Sequence, residues 1–254
     1  SNSAINWYEL ADPEEQPLEM MQVIMMRKDP PFDMEYIYAT YILDLAKMGG
    51  AKVINDPSAI RNLNEKVSIT MFPSVTPPTL VTSNQSDLES FLNQQEKIVV
   101  KPLDGMGGRS IFIVEKGEPN TKTIFEEMTR NNSKTIMAQK YIPEIKDGDK
   151  RIHLVFGNHV DMALARVPSE KDHRGNLVMG AVGEVRKLTQ RDIEICKTIG
   201  GTLLKGGVYF AGIDVIGDYL SEINITSPTG MREISKNSDV NVSDRFFEAL
   251  QKSN

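Results

Sequence analysis

The stretch "GIDVIGDYLSEINITSP" carries two carboxylates and an amide at spacings that permit joint chemistry. Asp214 lies on one β-rich run, and Glu222 and Asn224 lie on the next, across a tight Gly-Asp turn. Residues two apart on a strand share a face, so Glu222 and Asn224 point the same way, and a hairpin brings Asp214 beside them. An oxygen-only donor set without His or Cys suits Mg²⁺ rather than zinc. The flanking residues Phe210, Ala211, Ile213, Val215, Ile223 and Ile225 are apolar, so the acids are expected to be half-buried. Clustered buried carboxylates are costly without a counter-cation. The competing reading is a solvated strand face with ordinary salt-bridge partners.

A second candidate is "KPLDGMGGRS", in which Gly105, Gly107 and Gly108 follow Lys101. Glycines let backbone N–H groups approach a phosphate closely. Neither Gly-x-x-x-x-Gly-Lys-Ser/Thr nor Gly-x-Gly-x-x-Gly fits, and "SIFIV" after the glycines reads as a strand. Such a loop has no helix N-terminus to hold an anion, so charge must come from side chains and metal ions. Lys101 and Lys66, in "NEK", are the candidate lysines. The loop alone reads equally well as a hairpin without a ligand.

The third group is basic. Arg151 follows "GDK", Arg166 ends a strand-like run, and Arg174 lies in a long polar segment. Arginines at strand ends suit carboxylate or phosphoryl recognition, although each taken singly reads as a surface ion-pair residue. His153, His159 and His173 show no metal-ligand spacing, and no Gly-x-Ser-x-Gly elbow is present. The only cysteine, Cys196, sits among Ile195, Ile199 and Leu203 at helical spacing and reads as a buried structural thiol. One cysteine allows no intramolecular disulfide, which points to a reducing, cytoplasmic setting.

The positioning elements alternate between helix and strand periods. "VIMMR" and "AKVINDP" read as strands flanking a helix in "DMEYIYATYILDLAKMGG", where Ile37, Tyr41 and Leu45 repeat and Gly49 and Gly50 stop it. "SAIRNLNEKVSITMF" reads as a second helix, and Ser86 with Glu89 as the capping box of a third. "KIVVKPL", "RSIFIVEK" and "TIMAQKYI" are strands, and "TKTIFEEMTR" is a short helix. "DKRIHLVFGNHVDMALARV" reads as two strands around a turn. The segment "PSEKDHRGNLVMGAVGEVRKL" is polar and aperiodic, which suggests a mobile functional loop. A helix with Cys196, the acidic hairpin and the helix "VSDRFFEALQKS" follow. This is an α/β (α+β) pattern. With 254 residues, one or two domains are expected from length. A net charge of −6 argues against a nucleic-acid-coating surface but not against a local basic pocket. No apolar run approaches the roughly 18 residues needed to cross a bilayer, so no membrane partner is expected.

The order of these parts resembles the ATP-grasp fold, in which two α+β subdomains clamp ATP. More closely, the strings "MRKDPPFDMEYIYATYIL", "KPLDGMGG", "IKDGDKR", "ARVP", "RGNL" and "EINITSPTGMREI" resemble bacterial glutathione synthetases, with matches spread from Met26 to Ile234. The resemblance implies a partial amino-terminal α/β domain over residues 1–63, a central subdomain over 64–145 with the glycine hairpin, and a carboxy-terminal subdomain over 146–254. It also implies a further strand–helix segment ahead of the first domain that this chain lacks. The implied reaction joins γ-glutamylcysteine to glycine, with ATP as co-substrate and one or two Mg²⁺ ions, for which Mn²⁺ can substitute. Lys66 and Lys101 would contact the ATP phosphates under a flap formed by Gly105, Met106, Gly107 and Gly108. Gln139, Lys140, Tyr141 and Ile142 would line the adenine side. Asp214, Glu222 and Asn224 would hold the metal. Arg151 and Arg166 would face the reacting carboxylate, Arg174 would sit on a lid spanning Pro168 to about Val185, and Arg27 would serve the dipeptide pocket. A homo-oligomer is also implied. Another carboxylate–amine ligase of this fold, or a nucleotide-binding regulatory protein without turnover, stays open.

Overall fold

The structure is a computed structural model that describes residues 8–105, 110–168 and 182–253. Strands β1 (Val23–Met25) and β2 (Lys52–Ile54) pair in parallel and flank helix α1 (Met34–Met48). The Asp33 side chain caps α1 by accepting from Tyr36 N, and Gly49 ends it. Its inward side is Tyr36, Thr40, Leu43 and Ala46, whereas Tyr41 and Leu45 turn outward. The run "SAIRNLNEKVSITMF" is not one helix. Helix α2 (Pro57–Asn62) stops, Leu63 is extended, and Val67–Met71 forms a 3-10 turn. The cause is Asn64, whose side-chain oxygen accepts from Lys66 N and Val67 N and so competes with helical bonding.

A four-stranded antiparallel sheet follows, in the order β3 (Thr79–Thr82), β6 (Ile136–Lys140), β4 (Lys97–Pro102), β5 (Phe112–Glu115). Helices α3 (Gln85–Gln95) and α4 (Thr121–Thr129) cover one face, packing Leu88, Leu92 and Phe125 on Ile98, Val100, Ile136 and Ala138. Strand alternation then turns Lys101, Met137 and Gln139 to the opposite face. The cap of α3 is Asn84, accepting from Ser86 N, so Ser86 lies inside the helix rather than capping it.

The third sheet has the order β11 (Tyr219–Asn224), β10 (Phe210–Ile216), β7 (Asp149–Val155), β8 (Asn158–Val167), β9 (Val182–Lys187), all antiparallel. Helix α5 (Gln190–Lys205) seals one face through Ile195, Cys196, Ile199 and Leu203. Burial pushes the Cys196 thiol up to about 12, so it is a packed, unreactive thiol. Helices α6 (Met231–Lys236) and α7 (Val242–Lys252) pack Ile234, Phe246 and Leu250 on the other face, beside Val155, Leu164 and Phe210. Two sequence expectations change here. The stretch Val182–Lys187 is strand β9 rather than loop, because it pairs with β8 from Val167 back to Met162. Helix α6 has no counterpart in the sequence reading, being too short for a period to register. Residues 169–181, most of the expected lid, lie outside the described residues. No described helix is long and apolar enough to cross a membrane.

Asn55, only 4% exposed, ties the first unit to the third sheet. Its Nδ2 donates to Phe210 O and Ile225 O, both at 2.7 Å, and its Oδ1 accepts from Tyr209 N at 2.7 Å and Phe210 N at 2.8 Å. One amide thus satisfies four backbone groups at the entry to β10 and the exit of β11. Asn55→Ala strands all four in a buried place, and the expected loss is about 3–4 kcal/mol. Urea unfolding measures it, as a lowered midpoint at constant slope; a loss under about 1 kcal/mol contradicts the role.

Candidate active site

Asp214 is the centre of the site. It is 3% exposed and faces Arg151 on β7 and Glu222 on β11 in register. Arg151 Nε meets Asp214 Oδ1 at 2.5 Å and Arg151 Nη2 meets Oδ2 at 3.1 Å, a bidentate pair. Arg166 Nη2 reaches the same Oδ2 at 3.0 Å and also bonds Asp149, its register partner across β7–β8. Burial alone would raise the Asp214 carboxyl, but the two guanidinium groups hold it well below the usual carboxylate range. The same two carboxylates raise Arg166 despite its burial. Burial pushes the Asp149 carboxyl up to about 7, and the like charges of Asp214 and Glu222 add to it against the pull of Arg166 and Arg151. The Arg151 side chain crosses β10 at Gly212, where a Cβ would lie 2.9 Å from Arg151 Cδ and 2.6 Å from Pro228 Cβ. Glycine there leaves room for the guanidinium to reach Asp214.

Glu222 gathers the lysines. Lys101 Nζ lies 3.4 Å and Lys66 Nζ 3.7 Å from Glu222 Oε1. Both lysines are nearly buried, Lys66 at 2% and Lys101 at 6% exposed. Lys66 Nζ also bonds Glu65 and donates to Gly105 O at 2.6 Å, which joins it to the start of the glycine loop. Burial disfavours the Lys66 cation, yet Glu222 and Glu65 together raise it. Glu65 is pushed up to about 7, first by burial and then by repulsion from Glu222, which outweigh the opposing pull of Lys66. Asn224 lies between these groups. With its amide turned to satisfy both ends, the nitrogen donates to Glu65 Oε2 at 3.0 Å and the oxygen accepts from Arg151 Nη2 at 3.3 Å.

The structure therefore brings together Lys66, Lys101, Gly105, Arg151, Arg166, Asp214, Glu222 and Asn224. Gln139 is buried on the same side of its sheet as Lys101 and bonds Thr79 Oγ1 at 3.1 Å. Lys140 is exposed at the end of β6, while Tyr141 and Ile142 are half-buried just beyond it, with Lys97 Nζ 4.9 Å from the Tyr141 ring. Arg27 stands apart from the carboxylates. It donates to Pro228 O at 2.8 Å, next to the loop whose Thr229 O accepts from Arg151 Nη1 at 3.2 Å. Met106, Gly107, Gly108 and Arg174 lie outside the described residues.

Sequence reasoning missed Glu65 and Asp149. Both stand beside residues already singled out, in "NEK" and "GDKR", and neighbouring carboxylates are the counter-charge that a buried lysine or arginine requires. It also passed over His153. That ring is fully buried against Phe210, 5.7 Å between centroids, and burial pushes it down to about 3, so it is neutral. For a divalent cation the donor chemistry fits: Asp214, Glu222 and Asn224 offer hard oxygens on adjacent strands. In the structure both Asp214 oxygens are engaged by the arginines.

This arrangement of two antiparallel sheets around a charged cluster is the ATP-grasp fold. A family model for the ATP-grasp domain of prokaryotic glutathione synthetase matches residues 65–239, and one for its N-terminal domain matches residues 1–61. The chain is 48% identical over 245 residues to a glutathione synthetase of Coxiella burnetii, covering 96% of this chain and 76% of that one. It is 51% identical to one of Nitrosomonas europaea, covering 96% and 77%. Among solved structures, a D-cycloserine synthetase superposes with a TM-score of 0.71 at 12% identity, over 95% of this chain and 87% of that one, a likeness of fold. The chain belongs to the prokaryotic glutathione synthetase family.

The charge pattern sets a pH dependence in the absence of divalent metal. The unfolded Glu65 titrates near its ordinary value of 4.5, whereas the folded one holds its proton up to about 7. Between those values the folded state binds more protons, so the Glu65 contribution to stability falls as pH rises. Glu65→Gln removes this dependence. In EDTA, the Tm of Glu65→Gln minus that of the wild type is expected to move in the variant's favour between pH 5 and pH 8. A difference that stays flat or moves the other way contradicts the shift.

Proposed function

We propose that the chain catalyses the ATP-dependent joining of γ-glutamylcysteine to glycine, giving glutathione, ADP and phosphate. Family membership supports an ATP-dependent ligase. The observation that carries the chemistry is the convergence of Lys66, Lys101, Arg151 and Arg166 on the Asp214–Glu222 pair. In this reading the γ-phosphoryl group passes to the cysteinyl carboxylate, making an acyl phosphate. The amine of glycine attacks the acyl carbon, phosphate leaves, and the amine proton goes to phosphate or water. Both steps build negative charge on oxygen, and fixed cations stabilise it without reorganising. Among the described residues no activated nucleophile competes, since Cys196 is buried with a raised pKa.

The roles proposed are those that the family resemblance implies. Lys66 and Lys101 would contact the phosphates, with Gly105, Met106, Gly107 and Gly108 as the flap. Gln139, Lys140, Tyr141 and Ile142 bound the adenine. Arg151 and Arg166 orient the reacting carboxylate, with Arg174 on the lid and Arg27 on the dipeptide side. Asp214, Glu222 and Asn224 would hold Mg²⁺, or Mn²⁺ in its place, which polarises the transferring phosphoryl group. Charge balance favours metal with the nucleotide. Glu65, Asp149, Asp214 and Glu222 already face the four cations, so a tetra-anionic nucleotide enters at least cost with about two divalent ions. Residues 1–63, 64–145 and 146–254 act as the three units, the last two as the clamp. The substrates are small molecules, the setting is cytoplasmic, and the enzyme works as a homo-oligomer.

The test is ADP release by the full chain with γ-glutamylcysteine and glycine, each omitted in turn. Release only with both present is expected. No release, or release driven by a different acid–amine pair, overturns the reading. Glu222→Gln is expected to lower kcat at least about 100-fold and to raise the Mg²⁺ requirement. Normal turnover at low Mg²⁺ contradicts the metal assignment.

A further inference from the structure

Glu65 spends only one of its oxygens on Lys66. Oε1 takes the ammonium, and Oε2 accepts from the Asn224 amide nitrogen at 3.0 Å. The backbone sets up this second contact, because Glu65 O accepts from Ile223 N at 2.8 Å and so fixes the residue against β11 one position before Asn224. An amide has nearly the same shape either way round, and its neighbours decide which end is oxygen. A carboxylate accepts and does not donate, whereas a guanidinium donates and does not accept. Between Glu65 and Arg151, Asn224 therefore turns its nitrogen to Glu65 and its oxygen, at 3.3 Å, to Arg151 Nη2. The same Nη2 lies 3.1 Å from Asp214 Oδ2, so the Asn224 and Asp214 oxygens converge on one cationic position.

We infer that Glu65 is a positioning residue for Asn224, holding its amide with the oxygen toward Asp214, the one orientation in which it can ligate a metal. The inference rests on the metal assignment of the proposed function and adds the group that orients one ligand. A hard cation takes an amide through oxygen alone, so an Asn turned the other way is lost as a ligand. Groups that orient ligands in this way govern metal affinity without touching the metal. The isosteric change Glu65→Gln exposes the role. Lys66 has no acceptor and would take the new amide oxygen, which leaves the new NH₂ group facing Asn224. That group attracts the Asn224 oxygen and turns it away from Asp214.

Binding of the non-hydrolysable ATP analogue AMP-PNP to the full chain at pH 8, where Glu65 is ionised, tests the inference, with circular dichroism confirming each fold. Dissociation constants are measured with Mn²⁺ and in EDTA, and their ratio separates the metal from any change at Lys66. In Glu65→Gln the gain in affinity from Mn²⁺ is expected to fall about 10- to 100-fold. In an Asn224→Ala background no amide is left to orient, and adding Glu65→Gln should change the gain by less than about 2-fold. An equal loss in both backgrounds, as a direct ligand or a plain charge effect would give, overturns the positioning role. A full Mn²⁺ gain in Glu65→Gln overturns it as well. A wild type that gains nothing from Mn²⁺ overturns the metal assignment and this inference with it.

Discussion

A carboxylate in the middle of a sheet must be matched by cations held at fixed positions, and Asp214 imposes this condition on the whole carboxy-terminal unit. Desolvating an unpaired carboxylate costs several kcal/mol, so the fold tolerates it only with partners in good geometry. The register of β10 supplies the first, Arg151 opposite on β7, while Glu222 opposite on β11 is a like charge that Lys66 and Lys101 answer. Arg166 comes from one strand further and brings Asp149 as its own partner. Gly212 clears the path of Arg151, and Thr229 fixes the far end of its guanidinium. Arg151, Arg166, Gly212 and Thr229 thus answer a requirement set by that one charge.

The same requirement connects stability to chemistry. Phosphoryl and acyl transfer need cations that are already oriented, because reorienting them during the reaction would raise the barrier. The ion cluster achieves that orientation in the folded protein. The two sheets contribute unequally. The five-stranded sheet fixes arginines and acids in register, while the four-stranded sheet extends Lys101 toward Ser221 and Glu222. Lys66 arrives from a segment that runs along β11, where Ile223 N donates to Glu65 O at 2.8 Å and Leu220 N to Val75 O at 2.8 Å. Lysines and carboxylates from three parts of the chain thereby meet at one edge of a strand.

Local pattern exposed some of this in the sequence, and long-range register concealed the rest. The Asp214–Glu222–Asn224 face was readable because a tight hairpin leaves few ways to pair its strands. The pairing of Arg151 with Asp214 joins residues 63 apart, and no local period reports it. Glu65 and Asp149 went unread because each lies next to a more conspicuous cation. Asn55 falls at the end of the strand-like run "AKVINDP", yet its amide bonds fix backbone more than 150 positions away. The helical run through Asn64 failed because a side chain there offers the backbone a competing bond. In α1, Tyr41 and Leu45 marked a true helical period but its outward side, since both faces of that helix are apolar.

The central claim is that the cations around Asp214 and Glu222 carry a carboxylate through an acyl phosphate. The most direct measurement uses γ-glutamylcysteine labelled with ¹⁸O in the cysteinyl carboxylate, turned over by the full chain with ATP, Mg²⁺ and glycine. Transfer through an acyl phosphate puts one labelled oxygen into each phosphate released, because the carboxylate oxygen that attacks phosphorus leaves with it. Phosphate free of label, with all the ¹⁸O kept in the peptide, would contradict the account.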